Sequence, residues 1–251
     1  MSVAACAALV EKGDPDRFLS AMTGGPQARA RLFPLYAFNL EVARAPWVAS
    51  EPMIGQMRLQ FWRDTLAEIG AGKPARAHEV AAPLAETVRA AGLPLDLLDE
   101  MVIARWADLE RAPFADAGAL RDYLAATAGN LMWASVLALG GDAALETPAR
   151  AAGLAAGLAS WLMAVPDLDS RGWRPLPADV PGLIEETHAA LREARRARVG
   201  AALPALRAAW RAESVLMRAM RDPTAIGAGR LGGSEFGRRG GLLWKSLTGR
   251  W

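Results

Sequence analysis

The chain has 251 residues, 52% of them hydrophobic and 22% charged, so it can bury one large core and does not have the composition of a disordered chain. A single cysteine, Cys6, excludes an intramolecular disulfide and a thiolate zinc site, and two histidines, His78 and His188, argue against a Ser-His-Asp triad or a multi-histidine metal site. The formal charge of +2 hides an asymmetry: from Gly200 onward nine basic residues face three acidic ones, which gives +6 there and −4 elsewhere and hints at a polyanionic partner.

Ala and Leu dominate the hydrophobic residues and β-branched residues are sparse, which favours helix. Residues 1–10 are mildly apolar but lack a basic leader and run into Glu11, Lys12 and Asp14, so they read as no signal peptide. Residues 29–42 form the first long predicted helix, with Leu32, Leu35, Tyr36 and Leu40 on one side; Pro46 ends or kinks it. A second helix covers 54–69. Residues 83–91 and 95–109 follow, the latter with Leu98, Val102 and Trp106 at helical spacing. Asp116 is placed to cap a helix over 118–127. Residues 131–139 and 149–163 are almost all small and apolar, which predicts central, buried helices. The most apolar stretch, 151–165, is too short for the ~20 residues of a membrane span and meets Pro166. Residues 166–181 read as a proline-rich loop, and 183–199 and 203–221 as the last strong helices. Glycines fill 223–241, which reads as a flexible linker to a short apolar-basic tail over 242–251. The predicted division is one helical domain over 1–222 and a linker and tail over 223–251. A soluble, reducing, cytoplasmic setting fits.

Paired carboxylates at i and i+4 can grip Mg²⁺. Asp64 with Glu68 and Asp96 with Glu100 have that spacing, but their polar neighbours fit solvated surface pairs. Asp167 and Asp169 read as turn residues of the loop. No phosphate-binding glycine loop follows a strand pattern. Nine tryptophans are enough to suggest stacking on nucleic acid, yet Trp62, Trp106, Trp133, Trp161 and Trp210 fall inside predicted helices, where core packing accounts for them. No nucleic-acid partner is expected.

The run Leu35-Tyr36-Ala37-Phe38-Asn39-Leu40-Glu41-Val42-Ala43-Arg44 resembles the opening helix of squalene and phytoene synthases, and Arg58-Leu59-Gln60-Phe61-Trp62-Arg63-Asp64 resembles a later one. Asp108, then Tyr123 through Gly129, then Gly172, Leu176 and Pro177 follow in the family's order, so the resemblance covers about residues 16–220. It implies an all-α isoprenoid synthase-type helical bundle around a central cavity. In the family's head-to-head prenyl transferases, two aspartate-rich motifs on facing helices hold Mg²⁺ against the substrate diphosphates. Here the aspartates of the first motif fall on Ala43, Arg44 and Trp47, and its arginine on Leu40. In the second motif the Arg-Asp pair falls on Met163 and Ala164, and the next aspartate on Leu168; a shift of one residue would bring in Asp167 or Asp169. Glu41 is the only acid between Arg31 and Ser50.

The spacing Phe38-Asn39-x-Glu41, then Pro52-x-Ile54-Gly55-x-x-Arg58-x-Gln60-Phe61-Trp62, is similar to a diverged branch of that family, which includes a mitochondrial respiratory complex I assembly factor. That resemblance implies a binding or assembly role at the inner face of an energy-coupling membrane. Two alternatives stand beside it: an active prenyl transferase dependent on Mg²⁺, and a carrier that keeps the cavity for an isoprenoid or other lipid. No catalytic, metal or cofactor residue is assigned. The candidate cavity or partner surface is Tyr36, Phe38, Arg44, Arg58, Trp62, Arg63, Tyr123 and Trp133. Small residues at 128, 129, 152, 153, 156 and 157 leave room for a cavity beside Tyr36 and Trp133, or let helices approach closely. Arg207, Arg211, Arg218 and Arg221 would form one basic stripe on a continuous helix, and with Leu242, Leu243, Trp244, Leu247 and Trp251, which alternate with Lys245 and Arg250, would give weak peripheral contact with an anionic membrane or an acidic partner.

Overall fold

The computed structural model describes residues 2–48 and 51–251. Met1 and Ser50, which bound two of the stretches read above, lie outside the described residues. Among the described residues every regular element is helical. Asp14 joins the first two helices, α1 (Val3–Gly13) and α2 (Pro15–Met22). Its carboxylate accepts the Arg17 N–H at 2.9 Å, and Pro15 takes the first helical position, where a missing N–H costs nothing.

α3 (Pro26–Val48) is the inner helix; it starts on a proline and has two more in its interior, Pro34 and Pro46. It packs against α1, against α4 (Pro52–Gly70), against α5 (Ala81–Ala91) and against α9 (Asn130–Ala138). Leu32, Leu35, Tyr36 and Phe38 are buried at its centre. The helix runs on past Pro46, so that proline does not end it; the surrounding helices offset a penalty of about 3 kcal/mol for a proline in a helix interior.

α6 (Leu95–Ala104) and α7 (Trp106–Glu110) divide at Arg105, where one helix was expected. α8 (Ala117–Leu124) starts at Asp116, whose side chain accepts the Ala119 N–H at 2.8 Å. It passes through a π-helical turn, Ala125–Gly129, into α9. α10 (Glu146–Ser170) runs through Pro166, so the expected loop over 166–181 begins only after Ser170. Its length and composition would suffice to cross a membrane, but half of its most apolar window is buried. It packs against α9, the π turn, α11 (Val180–Ala194) and α13 (Ala212–Arg221).

The last part differs most from expectation. The helix read over 203–221 is broken into α12 (Leu203–Leu206), a 3-10 turn (Arg207–Ala209) and α13. The stretch read as linker and tail holds α14 (Thr224–Gly227) and α15 (Glu235–Leu247), with Leu231, Leu242 and Trp251 buried. The basic stripe does not form. Arg207 is buried and donates to the carbonyls of Arg250 at 3.1 Å and Ser246 at 3.4 Å. Arg211 pairs with Asp16 and donates to the Gly232 carbonyl at 2.8 Å; Arg218 donates to the Leu231 carbonyl. Backbone carbonyls of the last stretch of chain, on Leu231, Gly232, Ser246 and Arg250, thus take up these guanidiniums.

Candidate functional site

A cavity of about 510 Å³ lies between α3 and α10. α3 contributes Asn39, Leu40, Ala43, Arg44 and Trp47 at steps of three and four residues, which place them on one face. α10 contributes Gly157, Ser160, Trp161, Ala164, Asp167 and Leu168 in the same way, and Arg171 follows just past its end. Gly13, Asp14 and Arg17 close one side; Arg105, Asp108, Tyr123, Leu124, Thr127 and Ala128 form the wall between α7 and the π turn. The five positions that the resemblance assigns to metal carboxylates, namely 43, 44, 47, 164 and 168, therefore all face this cavity.

The wall at α7 and α8 is a closed polar cluster. Tyr123 donates to the Asp108 carboxylate at 2.8 Å, and Arg105 reaches Asp108 at 3.2 Å and the Tyr123 oxygen as well. Asp108 is 1% exposed, and burial pushes its carboxyl above the usual range against the pull of Arg105. Burial also drives the Tyr123 hydroxyl far up, so it stays protonated and remains a donor.

The other lining charges are mostly paired. Asp14 meets Arg17 at 2.5 Å and Asp167 meets Arg171 at 3.0 Å. Arg44 makes no hydrogen bond or ion pair among the described residues; its guanidinium lies beside Gly13. Trp47 packs on Trp173 with ring centres 5.5 Å apart, and the guanidiniums of Arg111 and Arg171 lie 5.4 and 5.8 Å from its ring. Trp161 stacks edge-on against Tyr123 and Trp173, both at 5.4 Å, and its indole donates to the Pro175 carbonyl at 3.0 Å. An aromatic and guanidinium cap thus stands where carboxylates would hold metal.

Mg²⁺ is the ion the family's chemistry requires, and these residues do not fit it. Hard cations need several free carboxylate oxygens. Each of the three aspartates lining the cavity is held by an arginine, and no group of three metal-ligating side chains occurs among the described residues. Arg44 adds a positive charge at a ligand position.

Two of the eight sequence candidates, Arg44 and Tyr123, line the cavity. Tyr36, Phe38, Trp62 and Trp133 are core residues, buried among helices. Arg58 is exposed, and Arg63 pairs with Asp99 at 2.8 Å. The cavity therefore sits one to three turns beyond Tyr36 and Trp133, where it was expected. The small residues divide between the two roles weighed for them. A Cβ on Gly153 would lie 2.6 Å from the Ala128 carbonyl oxygen, which is close helix packing, whereas Gly157 and Ala128 line the cavity. The carboxylate pairs are engaged elsewhere: Glu68 with Arg76 at 2.7 Å, and Glu100 with the Asn130 amide at 2.7 Å. Asp14, Arg17, Trp161 and Arg171 were missed as site residues; Asp14 before Pro15 is a readable cap, but nothing local in the sequence aims it at α3.

Comparison with known proteins decides the family. The family model described as squalene/phytoene synthase matches residues 10–221. The chain belongs to the squalene/phytoene synthase family. A dehydrosqualene synthase solved in complex with ligand superposes with a TM-score of 0.71 over 98% of this chain and 95% of that one, at 14% identity. Squalene synthase HpnC from Alicyclobacillus acidocaldarius gives 0.63 over 98% and 94%, at 15% identity. These likenesses establish an isoprenoid synthase-type helical fold. Among curated proteins, NADH dehydrogenase (ubiquinone) complex I, assembly factor 6, of Homo sapiens is 30% identical over 176 residues, 70% of this chain and 53% of that protein. The Drosophila melanogaster homolog is 32% identical over 171 residues, 64% of this chain and 50% of that protein. The chain spans about half the length of the curated relatives it matches.

Proposed function

We propose that this family member is a non-catalytic assembly factor for a respiratory complex, of the NADH dehydrogenase type that its relatives' name specifies, working at the inner, cytoplasmic face of the membrane without a metal cofactor. The observation that carries the reading is the cavity's donor set: Ala43, Arg44, Trp47, Ala164 and Leu168 stand at the metal-ligand positions, and Asp14, Asp108 and Asp167 are already neutralised by arginines. Ionising an allylic diphosphate needs its leaving charge neutralised by a metal clamp, and this cavity has none to offer. The relatives' name supports a protein partner within such a complex.

The cavity itself favours a second reading, that of an isoprenoid or lipid carrier, because its walls combine Leu40, Leu124, Trp161 and Leu168 with one uncompensated guanidinium. The active prenyl transferase reading has the family and the fold in its favour, and the residues at the metal positions against it. Deleting the chain from its host and separating membrane complexes on native gels tests the proposal. We expect assembled NADH dehydrogenase to fall severalfold and to be restored by the wild-type chain and by Asp167→Asn. An undiminished complex in the deletion strain overturns the assembly role; failure of Asp167→Asn alone to restore it overturns the metal-free reading.

A further inference from the structure

α15 turns its apolar side outward. Phe236, Leu243, Trp244 and Leu247 are 90%, 61%, 62% and 76% exposed, and at ~100° per residue they occupy about 100° of arc. The opposite side of the helix holds the structural contacts: Leu242 is buried and Arg238 pairs with Asp16 at 3.3 Å. An exposed stripe of Phe, Leu and Trp on a surface helix that is otherwise tied to its domain marks an interaction surface.

The chemistry next to the stripe names the occupant. Trp244 also lines a groove of about 770 Å³ with Arg195, Arg198, Lys245, Arg250 and Trp251; among the described residues Glu213 is its one acidic side chain, and Lys245 donates to the Trp251 backbone oxygen at 2.9 Å. Glu213 is taken by Arg195, whose Nε and second terminal nitrogen are buried without a partner. Arg198 and Arg250 donate no side-chain hydrogen bond among the described residues. The crowding shows in Lys245, whose ammonium is pushed down to about 8 by burial and by Arg195 and Arg250. An outward apolar helix face, an indole at its edge and a cationic groove beside it match the layers of an anionic bilayer: acyl chains, interface and phosphates.

We propose that α15 lies in the interface of an anionic phospholipid membrane, with Phe236, Leu243 and Leu247 inserted and a lipid phosphate seated in the groove of Arg198, Lys245 and Arg250. Of the tail contact expected from sequence, Leu243, Trp244, Leu247, Lys245 and Arg250 stay at this surface; Leu242, Trp251 and the arginines at 207, 211 and 218 are engaged inside the protein, and Phe236 and Arg198 join the contact. The proposal does not rest on the assembly role, because purified protein and lipid suffice to test it.

Flotation of the full chain with vesicles of phosphatidylcholine, with and without phosphatidylglycerol, is the experiment. Two double variants are compared, Leu243→Asp with Leu247→Asp and Arg198→Glu with Arg250→Glu; all four side chains are exposed, so the melting temperature serves as a folding control. We expect retention on the anionic vesicles, lost at high salt, and at least tenfold weaker partitioning for each variant. Wild-type protein that ignores anionic vesicles, or variants that partition as wild type does, overturns the proposal. So does a lipid-free dimer by light scattering that Leu243→Asp with Leu247→Asp dissociates, since a second copy would then cover the face.

Discussion

The two long walls of the cavity treat charge in opposite ways. On the α7–α8 side, Arg105, Asp108 and Tyr123 satisfy one another in a buried cluster. On the α3 side, Arg44 has no hydrogen bond or ion pair among the described residues and stands beside residues that carry no charge, Leu40, Ala43 and Trp47. A closed cluster is a structural commitment, because removing one member strands the others out of water. A lone, partly exposed guanidinium commits nothing to stability and is free to meet a ligand or solvent. The fold of a synthase thus occurs here with Ala43, Arg44, Trp47, Ala164 and Leu168 at the positions that the resemblance assigns to metal carboxylates.

Substitutions on the two walls should expose this difference. Asp108→Asn leaves Arg105 buried without its counter-charge and should cost about 3–5 kcal/mol in urea unfolding. A loss under 1 kcal/mol would show that the cluster is not a structural unit. Behind the cavity, Gly153→Ala drives a methyl against the Ala128 carbonyl and Met132, so α10 has to shift; we expect a loss of about 1–3 kcal/mol by the same measurement. Arg44→Leu should change stability by no more than about 0.5 kcal/mol, because no hydrogen bond or ion pair among the described residues is broken and leucine keeps most of the packing beside Gly13. A large loss there would mean that Arg44 has a structural partner and that the contrast between the walls is false.

The register of α3 was legible in the sequence because residues three and four apart share a helix face. Once Tyr36 was matched to the family, Ala43, Arg44 and Trp47 had to fall together, and they do. The position of the cavity was less legible. Tyr36 and Trp133 are large and lie near small residues, but burial is a property of all the neighbouring helices, and both are packed core. The π turn at Ala125–Gly129 gives no periodic signal and shifts every later residue of that wall. Pro166 reads locally as a helix stop, yet packing against α11 and α13 carries α10 through it. The basic stripe failed for a related reason: the angular argument holds only on a continuous helix, and the turn at Arg207–Ala209 interrupts it.

A gain-of-site experiment tests the contrast from the other side with a smaller expected effect. Replacing Ala43, Arg44 and Trp47 by aspartate puts three free carboxylates on one face of α3, and millimolar Mg²⁺ should then raise the melting temperature of the variant by a few degrees while leaving the wild type unchanged. An equal response of both proteins would mean that the wild-type cavity already holds the ion.

The most direct measurement is calorimetric titration of the wild-type chain with a non-ionising farnesyl diphosphate analogue, with and without Mg²⁺. No metal-dependent heat is expected, because the α3 and α10 positions offer no free carboxylates and Arg44 repels the cation; micromolar binding that appears only with Mg²⁺ would show instead that the cavity holds the ion.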